Sequence, residues 1–170
     1  GIKISDTPEA EPSKLLKGQA GTSLDISILK NDESAPKTIH LKRETVQINN
    51  VIYSGIIRPG VGYISLEEFN ASATKELKSA LSTLKQAGMQ KLILDLRENP
   101  GGLLTQAVDI CNLFLAKETK IVETRGKVEE WNKTYTALNT SFDSDIPLII
   151  LINGHSASAA EIVAGVMQDY

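Results

Sequence analysis

Apolar residues recur along this chain with two different periods, and the places where the period changes mark its elements. In "SLDISILK", Leu24, Ile26 and Ile28 alternate with polar neighbours, the period of a half-buried strand. "TIHLKRE" repeats that alternation after the turn "NDESAPK". Before them, "TPEAEPSKLLKGQAGT" predicts a short helix ending at Gly18, with Leu15 and Leu16 as its apolar contact. One helix and two strands bury too little apolar area to stand alone. Residues 1–45 therefore read as part of a small domain, and residues 46–170 as a second unit.

In the second unit "TVQINNVIYSGIIRPG" is a connector of strand character and "VGYISLEEF" a strand. A helix follows from Ser72 to Ala87, with Leu77, Ala80, Leu81 and Leu84 on one face and Gly88 as its stop. "KLILDL" is a continuous apolar run, the mark of a central parallel strand covered on both faces. Beyond the loop "RENPGG", the residues Leu104, Ala107, Val108, Cys111 and Leu115 trace a second helix. "KIVETRG" predicts a strand, residues 126–145 a polar excursion, and "PLIILI" a second central strand leading to a last loop and helix. The order is that of an α/β fold, in which right-handed crossovers place helices on the faces of a mostly parallel sheet.

The totals narrow the class. A net charge of −3, without a basic patch or long charge run, gives no footing for nucleic acid. Cys111 is the single cysteine, so an internal disulfide or cysteine metal cluster cannot form, and its place on a helical apolar face makes it a core residue. No cluster has metal-ligand spacing and no glycine motif for nucleotides occurs, so neither a metal nor another cofactor is expected.

Ligands of open α/β sheets bind outside the carboxyl ends of the strands. Two such ends carry loops of small residues that run straight into helices. One is Arg97-Glu98-Asn99-Pro100-Gly101-Gly102, and the other is Asn153-Gly154-His155-Ser156-Ala157-Ser158. Ser156 or Ser158 is either a helix cap or a nucleophile set where a helix N-terminus stabilises an oxyanion. "S-A-A-E" makes Ser158 and Glu161 a capping box, which competes with the nucleophile role. The diglycine is either an ordinary strand-to-helix turn or a close-approach loop. Asp95 and Arg97 read as loop-anchoring charges. His40 lies in the first unit and His155 is too near both serines to reach back as a base. "GHSAS" does not meet the G-x-S-x-G elbow, and no lysine follows Ser158 in these residues, so the sequence shows no partner base.

The stretches Val61–Leu115 and Pro147–Tyr170, with "LDLRENPGG" and "SASAAEIVAG", resemble the carboxyl-terminal processing (tail-specific) proteases. The resemblance implies a crotonase- or ClpP-like α/β core, incomplete here, preceded by the C-terminal half of a PDZ domain over residues 1–45. By motif position it implies Ser158 as nucleophile. The oxyanion donors would be the N–H of Ala159 and that of Gly101 or Gly102, with Asp169 in a supporting role. Ala160 departs from a serine of the family pattern at a position that is not the nucleophile. The family's base is a lysine further along, in an F-G-K-G-like stretch, and would lie beyond Tyr170. The expected partners are protein or peptide C-terminal tails, the expected location is extracytoplasmic, and these residues alone are expected to be inactive. The alternatives are a non-catalytic tail-binding module and a crotonase-fold acyl-CoA enzyme, which would not need the serines.

Overall fold

The computed structural model describes residues 11–31, 34–46 and 48–170, and divides the chain into two compact units, Gly1–Ile48 and Asn49–Tyr170.

In the first unit a helix, α1 (Glu11–Leu16), precedes two antiparallel strands, β1 (Ser23–Ile28) and β2 (Lys37–Lys42), paired from Ser23 against Lys42 to Ile28 against Lys37. The part of the predicted helix before Glu11 lies outside the described residues. Leu16 is exposed and Leu15 half-buried, so apolar contact alone does not hold the end of α1. The Arg43 guanidinium does so, donating to the helix-terminal carbonyls of Leu16 (2.8 Å) and Leu15 (3.1 Å). Those carbonyls have no intrahelical partner, and a nearby arginine satisfies them.

The second unit is built on a four-stranded sheet in the order β3-β4-β5-β8: β3 (Val51–Arg58), β4 (Val61–Leu66), β5 (Lys91–Asp95) and β8 (Leu148–Leu151). The last three are parallel, and β3 is an antiparallel edge. Three helices follow strands: α2 (Ala73–Gln86), α3 (Leu104–Phe114) and α4 (Ala159–Asp169), with α2 packed on α3 and α3 on α4. Residues Leu77, Ala80, Leu81 and Leu84 of α2 are all buried, as their spacing predicts. The helix ends in a Schellman motif, with Met89 N–H on the Leu84 carbonyl (2.9 Å) and Gly88 N–H on that of Lys85 (3.0 Å). Cys111 is fully buried, and burial pushes its thiol up to about 12.

Two expectations need correction. The strands are not covered alike on both faces. Strand order advances steadily from β4 to β5 to β8, so right-handed crossovers put the helices on one side. Ile64, Leu66, Leu92 and Leu94 lie buried beneath that layer, whereas Ile93 is half-buried and Ile149 is 58% exposed. Strand β8 is accordingly the sheet's last strand among the described residues, not an interior one. The polar excursion also holds elements that the sequence did not predict. It carries a single 3-10 turn at Glu129–Trp131 and β7 (Lys133–Thr136), which pairs antiparallel with β6 (Lys120–Thr124) in a separate ribbon. Asn112 on α3 braces the chain just after β7, accepting from the N–H groups of Leu138 (3.0 Å) and Asn139 (2.8 Å) and donating to the Asn139 carbonyl (2.7 Å).

Leu94 is fully buried in the central strand, so Leu94→Ala should cost about 3–4 kcal/mol in a urea unfolding experiment.

Candidate active site

Parallel strands β5 and β8 end side by side, Asp95 opposite Leu151, so the loops that follow start as neighbours. They stay together through a series of cross-links. Leu96 N–H donates to the Leu151 carbonyl (2.8 Å), and the Ser156 hydroxyl donates to the Leu96 carbonyl (2.7 Å) while accepting from Asn153 N–H (3.0 Å). Further out, Ala157 N–H donates to the Asn99 carbonyl (3.0 Å). Ser156 thus stitches the loops together rather than capping the helix.

Asp95 and Arg97 anchor the first loop, as their positions in the sequence suggest. Arg97 donates to Asp95 from its backbone N–H (2.9 Å) and from its guanidinium (2.6 Å at the nearest), and Tyr63 donates its hydroxyl to the same carboxylate. The Arg97 guanidinium, helped by the Tyr63 hydroxyl, holds the buried Asp95 carboxyl down to about 2 against the opposing cost of burial.

Asn99 is fully buried, and the sequence reading missed it. Its amide nitrogen donates to the Leu66 carbonyl at the end of β4 (2.8 Å), and its amide oxygen accepts from Gly101 N–H (2.8 Å). One side chain thereby fixes the diglycine turn to a neighbouring strand. The residue sits among glycines and a proline, and the useful signal was its type: a short amide that serves backbone groups of a turn.

The two turns then meet. Gly101 has φ +96, and a Cβ built on it would stand 2.7 Å from the Ala157 carbonyl oxygen, 2.8 Å from Ser158 Cβ and 2.9 Å from Ala159 N. Gly102, at φ +141, backs onto the Phe69 carbonyl, which a Cβ would meet at 2.5 Å. The structure thus brings Gly101, Ser158 and Ala159 together, with Gly102 next in the chain and packed on Phe69. It also separates the two glycines. The Gly101 N–H is spent on Asn99, while the Gly102 N–H donates to no acceptor among the described residues and its residue is exposed.

Ser158 occupies a strained backbone, φ 52 and ψ −114, in a region that side chains rarely adopt. The backbone turns sharply here into α4, at the end of a loop over residues 152–158 rather than directly off β8, and without the glycine spacing of the G-x-S-x-G pattern. Glu161 accepts the Ser158 N–H at 2.7 Å, which realises the carboxylate half of the capping box. The hydroxyl half is only a contact of capping-box type and makes no well-formed hydrogen bond. Ser158 is exposed and its hydroxyl is not tied up as a cap, while the N–H of Ala159, the first helical residue, donates to no acceptor among the described residues.

Asp169 is not brought to this cluster. It lies exposed at the far end of α4, about 16 Å from Ser158 along the helix axis at ~1.5 Å per residue.

Gly101→Ala would drive a methyl into backbone on three sides at a positive φ, and should cost about 2–4 kcal/mol in urea unfolding. Asp95 contributes stability that is present above its ordinary value of 3.8 and is lost as pH falls through about 2. That difference amounts to about 2 kcal/mol, so the unfolding free energy should fall by that much between pH 4 and pH 2, and Asp95→Asn should abolish this part of the acid dependence.

Residues 60–170 match the pattern of peptidase family S41. A carboxyl-terminal-processing protease of Synechocystis sp. is 38% identical over 99% of this chain and 40% of its own length. A probable CtpA-like serine protease of Staphylococcus epidermidis is 36% identical over 92% of this chain and 31% of its own. Among solved structures, a photosystem II D1 C-terminal processing protease shares 28% of residues at a TM-score of 0.62, covering 94% of this chain and 44% of that one. A putative S41 protease from Bacteroides fragilis, at 22% identity and a TM-score of 0.64, covers 96% of this chain and 49% of that one and shares the mixed α/β fold. This chain spans less than half the length of each of these relatives. With a family match that takes in both turns and the sheet that carries them, the chain belongs to peptidase family S41.

Proposed function

We propose that Ser158 is the nucleophile of a serine endopeptidase that cleaves proteins near their carboxyl termini, with Gly102 and Ala159 as its oxyanion donors. The observation that carries this reading is the convergence of the two turns. An exposed, strained serine stands against a glycine turn, and the two N–H groups flanking the contact have no acceptor among the described residues. Donors held ready for charge that develops in the transition state are the largest single source of rate in acyl transfer. The choice of Gly102 over Gly101 rests on Asn99, which already takes the Gly101 N–H.

In this reading the Ser158 Oγ attacks the scissile carbonyl carbon and its proton passes to a base. The carbonyl oxygen becomes an oxyanion held by the two N–H groups, with the N-terminus of α4 adding its dipole. As the C–N bond breaks, the proton is delivered to the departing amine and an acyl-enzyme remains. A water then attacks the ester, and the carboxylic acid leaves as the serine regains its proton. The base is a lysine, activated by loss of its charge, outside these 170 residues. Residues 1–45 act as the second half of a PDZ domain that takes substrate tails by strand addition, and the protein works outside the cytoplasm, as the family resemblance suggests.

The test is proteolysis of an unfolded protein by the full-length chain. Ser158→Ala should lower kcat on the order of a millionfold, to background, without changing tail binding. The 170 residues alone should show no cleavage. Tail trimming by them that Ser158→Ala abolishes would refute a distant base, and full-length activity that survives Ser158→Ala would refute the nucleophile.

A further inference from the structure

Glu98 sits three residues before Gly101, and His155 three residues before Ser158. Their side chains meet between the loops, His155 Nδ1 lying 2.6 Å from Glu98 Oε2. Asn153 completes the junction, donating its amide to Glu98 Oε1 (2.7 Å) and accepting the backbone N–H groups of Glu98 (3.1 Å) and His155 (3.1 Å). Hydrogen bonds from Asn153 and then His155, with the Arg97 charge nearby, hold the Glu98 carboxyl below the usual range, so it stays ionised at neutral pH. Glu98 is itself strained, a non-glycine residue at φ 62.

The junction gives little back in stability. The pair is exposed, 74% for His155 and 66% for Glu98, and exposed pairs contribute little. Holding a side-chain-bearing residue in a left-handed conformation works against folding. What the arrangement does deliver is position. Along each loop it falls between the strand end and the residue at the Gly101–Ser158 contact, and it is the only ion pair joining the two loops among the described residues.

We propose that Glu98 and His155, joined through Asn153, are positioning residues that set the separation of the Gly102 N–H from Ser158 and Ala159. The proposal rests on the peptidase reading above. Errors of about an ångström in such a separation cost rate, not ground-state binding.

The experiment is steady-state proteolysis by the full-length chain, run with thermal unfolding of each variant. Glu98→Gly removes the side chain and relaxes the backbone at once. It should lower kcat roughly tenfold with KM held within about twofold, while Tm stays level or rises. Glu98→Gln can accept from Asn153 through its amide oxygen and donate its amide nitrogen to His155 Nδ1 in the tautomer protonated at Nε2, and should keep the rate within about threefold. Adding His155→Ala to Glu98→Gly should have no further effect, because the bond it removes is already gone. The proposal is overturned if Glu98→Gly retains kcat, if kcat and Tm fall together, or if the effects of the two substitutions multiply. An unsubstituted protein with no serine-dependent cleavage sinks the peptidase reading itself, and this proposal with it.

Discussion

Two backbones can come as close as those at Gly101 and Ser158 only if one of them carries no side chain. A single methyl on Gly101 would overlap the Ala157 carbonyl, the Ser158 side chain and the Ala159 nitrogen together. These are backbone or near-backbone atoms held by a helix start, so nothing flexible can give way. The site is therefore the space left by an absent Cβ, and its existence depends on that one contact. Glycine alone would leave the turn free to wander. Asn99 removes that freedom by tying Gly101 to the end of β4, so the turn that admits the serine is also fixed to the sheet.

The sheet explains why the turns are neighbours at all. Parallel pairing of β5 with β8 puts their carboxyl ends at one level, and the crossover through α3 and the β6–β7 ribbon has only to return the chain to the same edge. Because the strand order never reverses, the helices gather on one face and α4 starts beside α3. The orientation of the α4 N-terminus toward the diglycine turn comes from that packing. Ile64, Leu92 and Leu94 form its floor, and Ala159, Ala160 and Val163 of α4 join the same buried cluster.

Much of this was legible in the sequence, and the rest was hidden for identifiable reasons. Periodicity marked α2, α3 and the strands because burial on one face leaves a regular trace, as at Leu77, Ala80, Leu81 and Leu84. The two loops were legible through their small residues and their place after apolar runs. Strand β7 was not, because Lys133–Thr136 carries a single apolar side chain, Tyr135, too few for an alternation to show. Exposure of Ile149 was hidden because an apolar run looks the same whether one face or both are covered. The choice between Gly101 and Gly102 could not be read at all, since it turns on which N–H the Asn99 amide accepts, a matter of three-dimensional position. Periodicity and loop position alone did not separate Ser156 from Ser158, and the family resemblance pointed to Ser158. The backbone at φ 52 and the bond from Ser156 to Leu96 show physically which serine is the stitch and which carries the exposed hydroxyl.

The polar accounting points the same way. Buried N–H groups are almost always paired, and one left unpaired costs about 1–3 kcal/mol. The chain spends partners freely nearby: Glu161 on Ser158 N–H, Asn99 on Gly101 N–H, Asn153 on Glu98 N–H. Ala159 is 1% exposed as a residue, yet its N–H donates to nothing among the described residues, and the Gly102 N–H across the contact is likewise unused. A fold that satisfies three donors around two others has not run out of acceptors. The two left over belong to the two turns that meet at Gly101 and Ser158, which is what the oxyanion role proposed for them requires.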